Sequence, residues 1–127
     1  MPGYDAALFE PPAPLAHVTL RNPQNSDTVA DVPMLLDTGA DVTLIPSTFV
    51  NQLGLTAEAN EIYELMGFDG STSLVSAVRL EMLFLNKVFR GRFLLVEQEW
   101  GILGRDILNL VPLFLDGPNL SWNEHSR

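Results

Sequence analysis

The chain contains no cysteine, which removes disulfides, thiol nucleophiles and thiolate zinc sites and fits a reducing compartment. Basic residues are scarce: seven Lys and Arg stand against 16 Asp and Glu, for a formal net charge of −9. Such a surface repels polyphosphate backbones and anionic lipids, so neither nucleic acid nor a membrane is expected as a partner. No apolar run approaches the ~20 residues of a membrane-spanning helix. The opening Met1-Pro2-Gly3-Tyr4-Asp5 lacks the basic start and apolar stretch of a secretory signal, which leaves a cytoplasmic location as the expectation. The two histidines, His17 and His125, lie near opposite ends with no ligand spacing around them, and no metal site is expected. A Gly-rich phosphate loop ending in Lys-Ser/Thr is also missing, and nothing calls for a cofactor.

What is present suits one globular domain of 127 residues, 46% hydrophobic and 18% charged. Residues 1–15, with Pro11, Pro12 and Pro14, hold too much proline for regular pairing and read as an arm ahead of a lobe spanning 16–127. From His17 onward, short β-rich runs are broken by turn chemistry, first at residues 22–27. Ser47 can cap, and Gly54 can end, a short helix. Residues 62–66 and 71–78 bracket Gly67-Phe68-Asp69-Gly70 as a hairpin tip. Val78, Leu80, Met82 and Phe84 alternate with Arg79 and Glu81, the mark of a half-buried strand. Trp100 to Leu103 leads through Gly104 into one or two helical turns at 105–110. Asp116-Gly117 marks another hairpin between two apolar runs. So many strands beside so little helix predict an all-β, closed-barrel domain with one or two short helices.

The residues with most chemistry in them are Asp37-Thr38-Gly39, a carboxylate on a tight glycine-containing loop behind Leu35-Leu36 and ahead of Ala40 and Asp41. Four features occur in order between residues 16 and 122: this loop, the apolar continuation at 42–46, the Gly67–Gly70 tip, and Ile102-Leu103-Gly104-Arg105-Asp106. On that ordered set the chain resembles the retropepsin-type aspartic proteases, the single-lobe homodimeric class that includes retroviral proteases and their bacterial relatives. The resemblance implies a single-lobe acid-protease barrel, active as a homodimer, that hydrolyses peptide bonds in a polypeptide substrate. An acid dyad needs two carboxylates sharing a proton. The chain has one such loop, so a second copy must supply the other Asp37.

The resemblance also assigns roles. Two Asp37 carboxylates would hold the attacking water between them. Gly39 would let backbone N–H groups approach the carboxylates, and Thr38 would reach across the two-fold axis to its mate. The hairpin tip of Gly67, Phe68, Asp69 and Gly70 would be a flap over the substrate. Leu35, Ala40, Asp41, Leu44, Trp100 and Ile102 would line the substrate pocket, favouring apolar or aromatic side chains beside the cut. Asp41 and Arg105 would form a supporting ion pair beneath the loop. Asp106 stands where retroviral enzymes commonly carry Asn. Pepsin-like enzymes usually have Ser at the position of Ala40, where a hydroxyl can donate to the carboxylate. Without it, activity is expected from mildly acid towards neutral pH.

The C-terminal hairpin, with apolar runs at 113–115 and 120–122, is expected to build the dimer interface. The Pro-rich N-terminus departs from the retroviral pattern of interleaved termini and is left out of that expected sheet. Asp37 and Asp41 as Mg²⁺ ligands for phosphoryl transfer are disfavoured by the lack of a nearby basic phosphate holder. The competing reading is a catalytically silent retropepsin-like module for dimerisation or peptide binding.

Overall fold

The computed structural model describes residues 2–57, 62–66 and 70–125, and among these described residues it holds ten strands and two short helices. The strands are β1 Tyr4–Asp5, β2 Ala13–Arg21, β3 Thr28–Leu36, β4 Leu44–Pro46, β5 Ile62–Met66, β6 Thr72–Phe84, β7 Lys87–Val96, β8 Gly101–Leu103, β9 Leu113–Asp116 and β10 Ser121–Glu124. The helices are α1 Ser47–Gln52 and α2 Arg105–Leu108. The large sheet runs β1-β2-β3-β8-β4-β7-β6-β5, and a further pairing joins β2 to β6, the strands next to its two ends. Strands β2, β3, β8, β4, β7 and β6 thereby form a closed ring, and the fold is a single-lobe, mainly β barrel.

Period-two alternation fills that ring. Val32, Met34 and Leu36 of β3, Val78, Leu80, Met82 and Phe84 of β6, and Val18 and Leu20 of β2 are all buried in one core. Strand β8 threads between β3, to which it runs parallel, and β4, to which it runs antiparallel. Space there is short. A Cβ on Gly101 would collide with the Leu44 carbonyl and the Met34 sulfur, and one on Gly104 would lie 2.5 Å from the Val42 oxygen.

On the outer face, Glu81 sits opposite both Arg21 and Arg90 in the pairing register. Arg21 Nε donates to one carboxylate oxygen at 2.6 Å and Arg90 Nε donates to the other. These two hydrogen bonds hold the Glu81 carboxyl below the usual carboxylate range.

Three local expectations change. The arm is paired, not loose: Tyr4 and Asp5 face Pro14 and Ala13, and Gly3 bridges to Ser121. Proline lacks only the N–H donor, and here Pro2 serves as an acceptor, taking a hydrogen bond from Trp122 N–H at 3.2 Å. The N-terminus therefore does join the sheet of the C-terminal hairpin. Helix α1 starts after Pro46 and has no side-chain cap, so Ser47 does not cap it. Gly54, at φ +70°, follows its C-cap in the left-handed conformation that ends helices.

Candidate active site

Strand β3 delivers the loop. Its last residue, Leu36, is buried, and the next amide, Asp37 N–H, donates to Leu103 O at 3.0 Å, carrying the parallel pairing with β8 one residue further. The loop then turns on its own side chain: Gly39 N–H donates to Asp37 Oδ1 at 2.9 Å, and Ala40 N–H donates to the Asp37 carbonyl at 3.2 Å. A carboxylate that bonds the backbone two residues on makes a compact turn and fixes its own orientation.

The start of α2 grips the same loop from below. Arg105 N–H donates to Ala40 O at 2.9 Å and Asp106 N–H donates to Asp41 O at 3.3 Å. The Arg105 guanidinium bonds Thr38 O through Nη1 and Asp41 Oδ1 through Nη2, each at 2.6 Å. The Asp41 side chain is 83% exposed, so as a charge pair alone this contact contributes only ~0–1 kcal/mol. Its larger effect is geometric, because one planar guanidinium ties Thr38 to Asp41 across Gly39 and Ala40.

Asp106, the acid in place of Asn, finds its partner in Thr43. Thr43 Oγ1 donates to Asp106 Oδ1 at 2.7 Å, and Thr43 N–H donates to Oδ2 at 3.1 Å. The buried Thr43 hydroxyl in turn accepts from Gly104 N–H at 3.1 Å. Thr43 was missing from the sequence reading, because its partners lie more than 60 positions away and no local pattern marks it.

Alternation groups the residues that the resemblance assigned to a pocket. Leu35 and Asp37 fall on the same side of the chain, while Met34 and Leu36 point into the barrel. Ile102 pairs with Leu35 on one flank and Leu44 on the other, and all three are half-buried. Trp100, just ahead of β8, meets the ring of Phe9 edge-on, with centroids 4.9 Å apart. Phe9 comes from the arm and was also missed. Its only signal in sequence was an apolar Leu8-Phe9 pair in an otherwise small and polar stretch.

Strands β5 and β6 pair from Ile62↔Ser76 to Met66↔Thr72. Gly70 adopts φ +84°, where glycine is favoured. Gly67, Phe68 and Asp69 of the tip lie outside the described residues. Among the described residues, no group of three or more His, Asp or Glu gathers as a metal-holding cluster.

Residues 19–107 match the aspartyl protease family, a span that covers the Asp37 loop, the hairpin and the start of α2. The chain belongs to the aspartyl protease family. Its barrel is similar to that of EIAV protease complexed with the inhibitor HBY-793, with a TM-score of 0.57 and 23% sequence identity over 76% of this chain and 86% of that one. No curated protein matches it. Family and fold together make the lobe retropepsin-like.

Proposed function

We propose that the protein is an aspartic endopeptidase whose site is assembled from two copies of the chain, each contributing Asp37. The observation that carries this reading is the Asp37-Thr38-Gly39 turn, one per chain and held by Gly39 N–H, Leu103 O and Arg105. A single carboxylate cannot be both acid and base in one step. Across a two-fold axis, the ionised Asp37 takes a proton from water as its oxygen attacks the scissile carbonyl carbon. The protonated Asp37 hydrogen-bonds the carbonyl oxygen and stabilises the tetrahedral adduct. Breakdown then splits the C–N bond as a proton passes to the leaving amine.

Thr38 is the candidate to hydrogen-bond across the axis, since its carbonyl is already used by Arg105 and its exposed side chain is available to a neighbour. Leu35, Leu44, Ile102 and Trp100 supply an apolar wall, so bulky apolar residues are the expected substrate side chains. The hairpin of β5 and β6 is the candidate flap, closing to exclude water.

Digestion of a mixed peptide library by the protein and by Asp37→Asn tests the reading. Sequence-selective cleavage by the parent chain and none by Asp37→Asn supports it. Cleavage by neither favours a silent peptide-binding module. A rate that rises faster than linearly with protein concentration adds support for the shared site.

A further inference from the structure

Strands β2, β6 and β7 carry a charge opposite to that of the whole chain. They hold Arg21, Arg79, Lys87, Arg90 and Arg92 against a single acid, Glu81, in a protein of net charge −9. The pairing register sorts the outward side chains into rows that cross the three strands. Thr19, Leu83 and Val88 form one row, and Arg21, Glu81 and Arg90 form the next. Two residues along each strand separate the rows, a step of about 6.8 Å.

Beside the first row lies an open groove of about 410 Å³, lined by Thr19, Leu83, Leu85 and Val88 together with Lys87. Leu85 is held at φ +54°, a left-handed conformation that an apolar residue rarely adopts. Strain of this kind persists only where the surroundings fix it, and it collects at ligand-binding surfaces. In the second row, Glu81 is buried and accepts one Nε–H from each arginine, on separate oxygens. Among the described residues, the Nη groups of these two guanidiniums have no partner, and the Arg90 side chain is 76% exposed. Glu81 therefore fixes two cationic forks side by side while neutralising only one of them.

We propose that this face docks an extended polypeptide segment carrying an apolar side chain and, two residues along, a carboxylate. The apolar side chain enters the groove, and the carboxylate accepts N–H groups from Arg21 and Arg90. The spacing follows from the rows, because residues i and i+2 of an extended peptide lie on one side at the same step of about 6.8 Å. Charge selects the class of partner: the acid-rich remainder of the chain repels an acidic segment, and this face attracts it. Arg79 and Arg92, opposite each other in the following row, have contacts of their own and take no part. On the peptidase reading the segment belongs to the substrate and tethers it to the enzyme. Docking itself does not depend on that reading.

Fluorescence anisotropy tests the site with labelled Gly-Ser peptides that carry Leu-Ser-Glu, Leu-Ser-Gln or Ser-Ser-Glu, on Asp37→Asn protein so that cleavage does not interfere. The Leu-Ser-Glu peptide should bind about ten-fold tighter than either control, and more weakly as salt is added. Arg90→Gln should weaken it about ten-fold, the scale of one charge-assisted hydrogen bond, and Val88→Ser about five-fold. Circular dichroism checks that both variants are folded. Equal affinity for the three peptides, or no effect of either substitution, overturns the proposal. Polyglutamate binding as tightly as the Leu-Ser-Glu peptide would reduce the face to a general anion patch and also overturns it. Self-association of the parent chain that Arg90→Gln abolishes would seat a second copy there instead, with the same consequence. A cleavable polypeptide made with and without Leu-Ser-Glu separates this idea from the peptidase reading. The parent chain should show a lower KM and an unchanged kcat for the version that carries the segment, and Arg90→Gln should erase the difference between the two. Docking without cleavage overturns the peptidase reading alone, and cleavage without docking overturns the docking site alone.

Discussion

Thr43 and Asp106, 63 residues apart in sequence, share two hydrogen bonds: hydroxyl to Oδ1 at 2.7 Å and amide to Oδ2 at 3.1 Å. Together they join the segment after the Asp37 loop to the first turn of α2. Thr43→Val preserves the shape but leaves Asp106 short of a donor and Gly104 N–H short of an acceptor. A loss of about 1–3 kcal/mol is expected, because a buried polar group has lost its partner. Thr43→Ser keeps the hydroxyl and should lose less. Urea unfolding of the two variants checks the order, and an equal loss in both would assign the effect to the methyl group.

Gly104→Ala should be worse tolerated than an ordinary surface change. The added carbon would overlap the backbone of Val42, which has no rotamer to retreat into. Overpacking of this kind costs about 1–3 kcal/mol or more, and the shift should appear as a lower urea midpoint with an unchanged slope. Peptide cleavage should fall further than stability, since the displaced segment lies between the Asp37 loop and Arg105.

Acid should weaken the barrel partly through Glu81. Its carboxyl lies below the usual range because Arg21 and Arg90 bond it, and a lowered folded-state value means that the folded state holds the proton less tightly than the unfolded chain. The pair therefore stabilises the fold above the unfolded value, about pH 4.3 for Glu, and that contribution is lost as pH falls through the folded value. Glu81→Gln should be less stable than the parent at neutral pH, and the gap should close below about pH 4. Urea midpoints from neutral to acid pH measure this. A constant gap would mean that the carboxylate charge is not the cause.

Phe9 should tune specificity and leave the chemistry in place. Phe9→Ala removes the edge-on neighbour of Trp100, so peptides that rely on an aromatic or bulky apolar side chain should lose kcat/KM by about ten-fold, the scale of ~1–1.5 kcal/mol for such a ring pair. Peptides without that side chain should change little. Library digestion with product sequencing distinguishes this from a uniform loss, which would signal general damage.

The elements with strong local signals were legible from the sequence. Val78, Leu80, Met82 and Phe84 alternate because one face of β6 lines the barrel, and Gly104 marks the start of α2 because the chain is crowded there. Ring closure was legible only as a class, since the β2–β6 pairing joins residues some 60 positions apart. The arm was misread because proline content counts missing donors, whereas Pro2 contributes an acceptor. Thr43, Phe9 and the Arg21–Glu81–Arg90 cluster each take their meaning from partners remote in sequence, which periodicity does not reveal.

The parity of β3 sets a rule for how this protein can change. Met34 and Leu36 look inward while Leu35 and Asp37 look the other way, so the distance along the backbone from the barrel wall to the acid is counted in whole residues. Adding or deleting one residue there would turn the carboxylate towards oil and a leucine towards water. A change of length in this stretch reverses every side chain beyond it at once, whereas a substitution alters one.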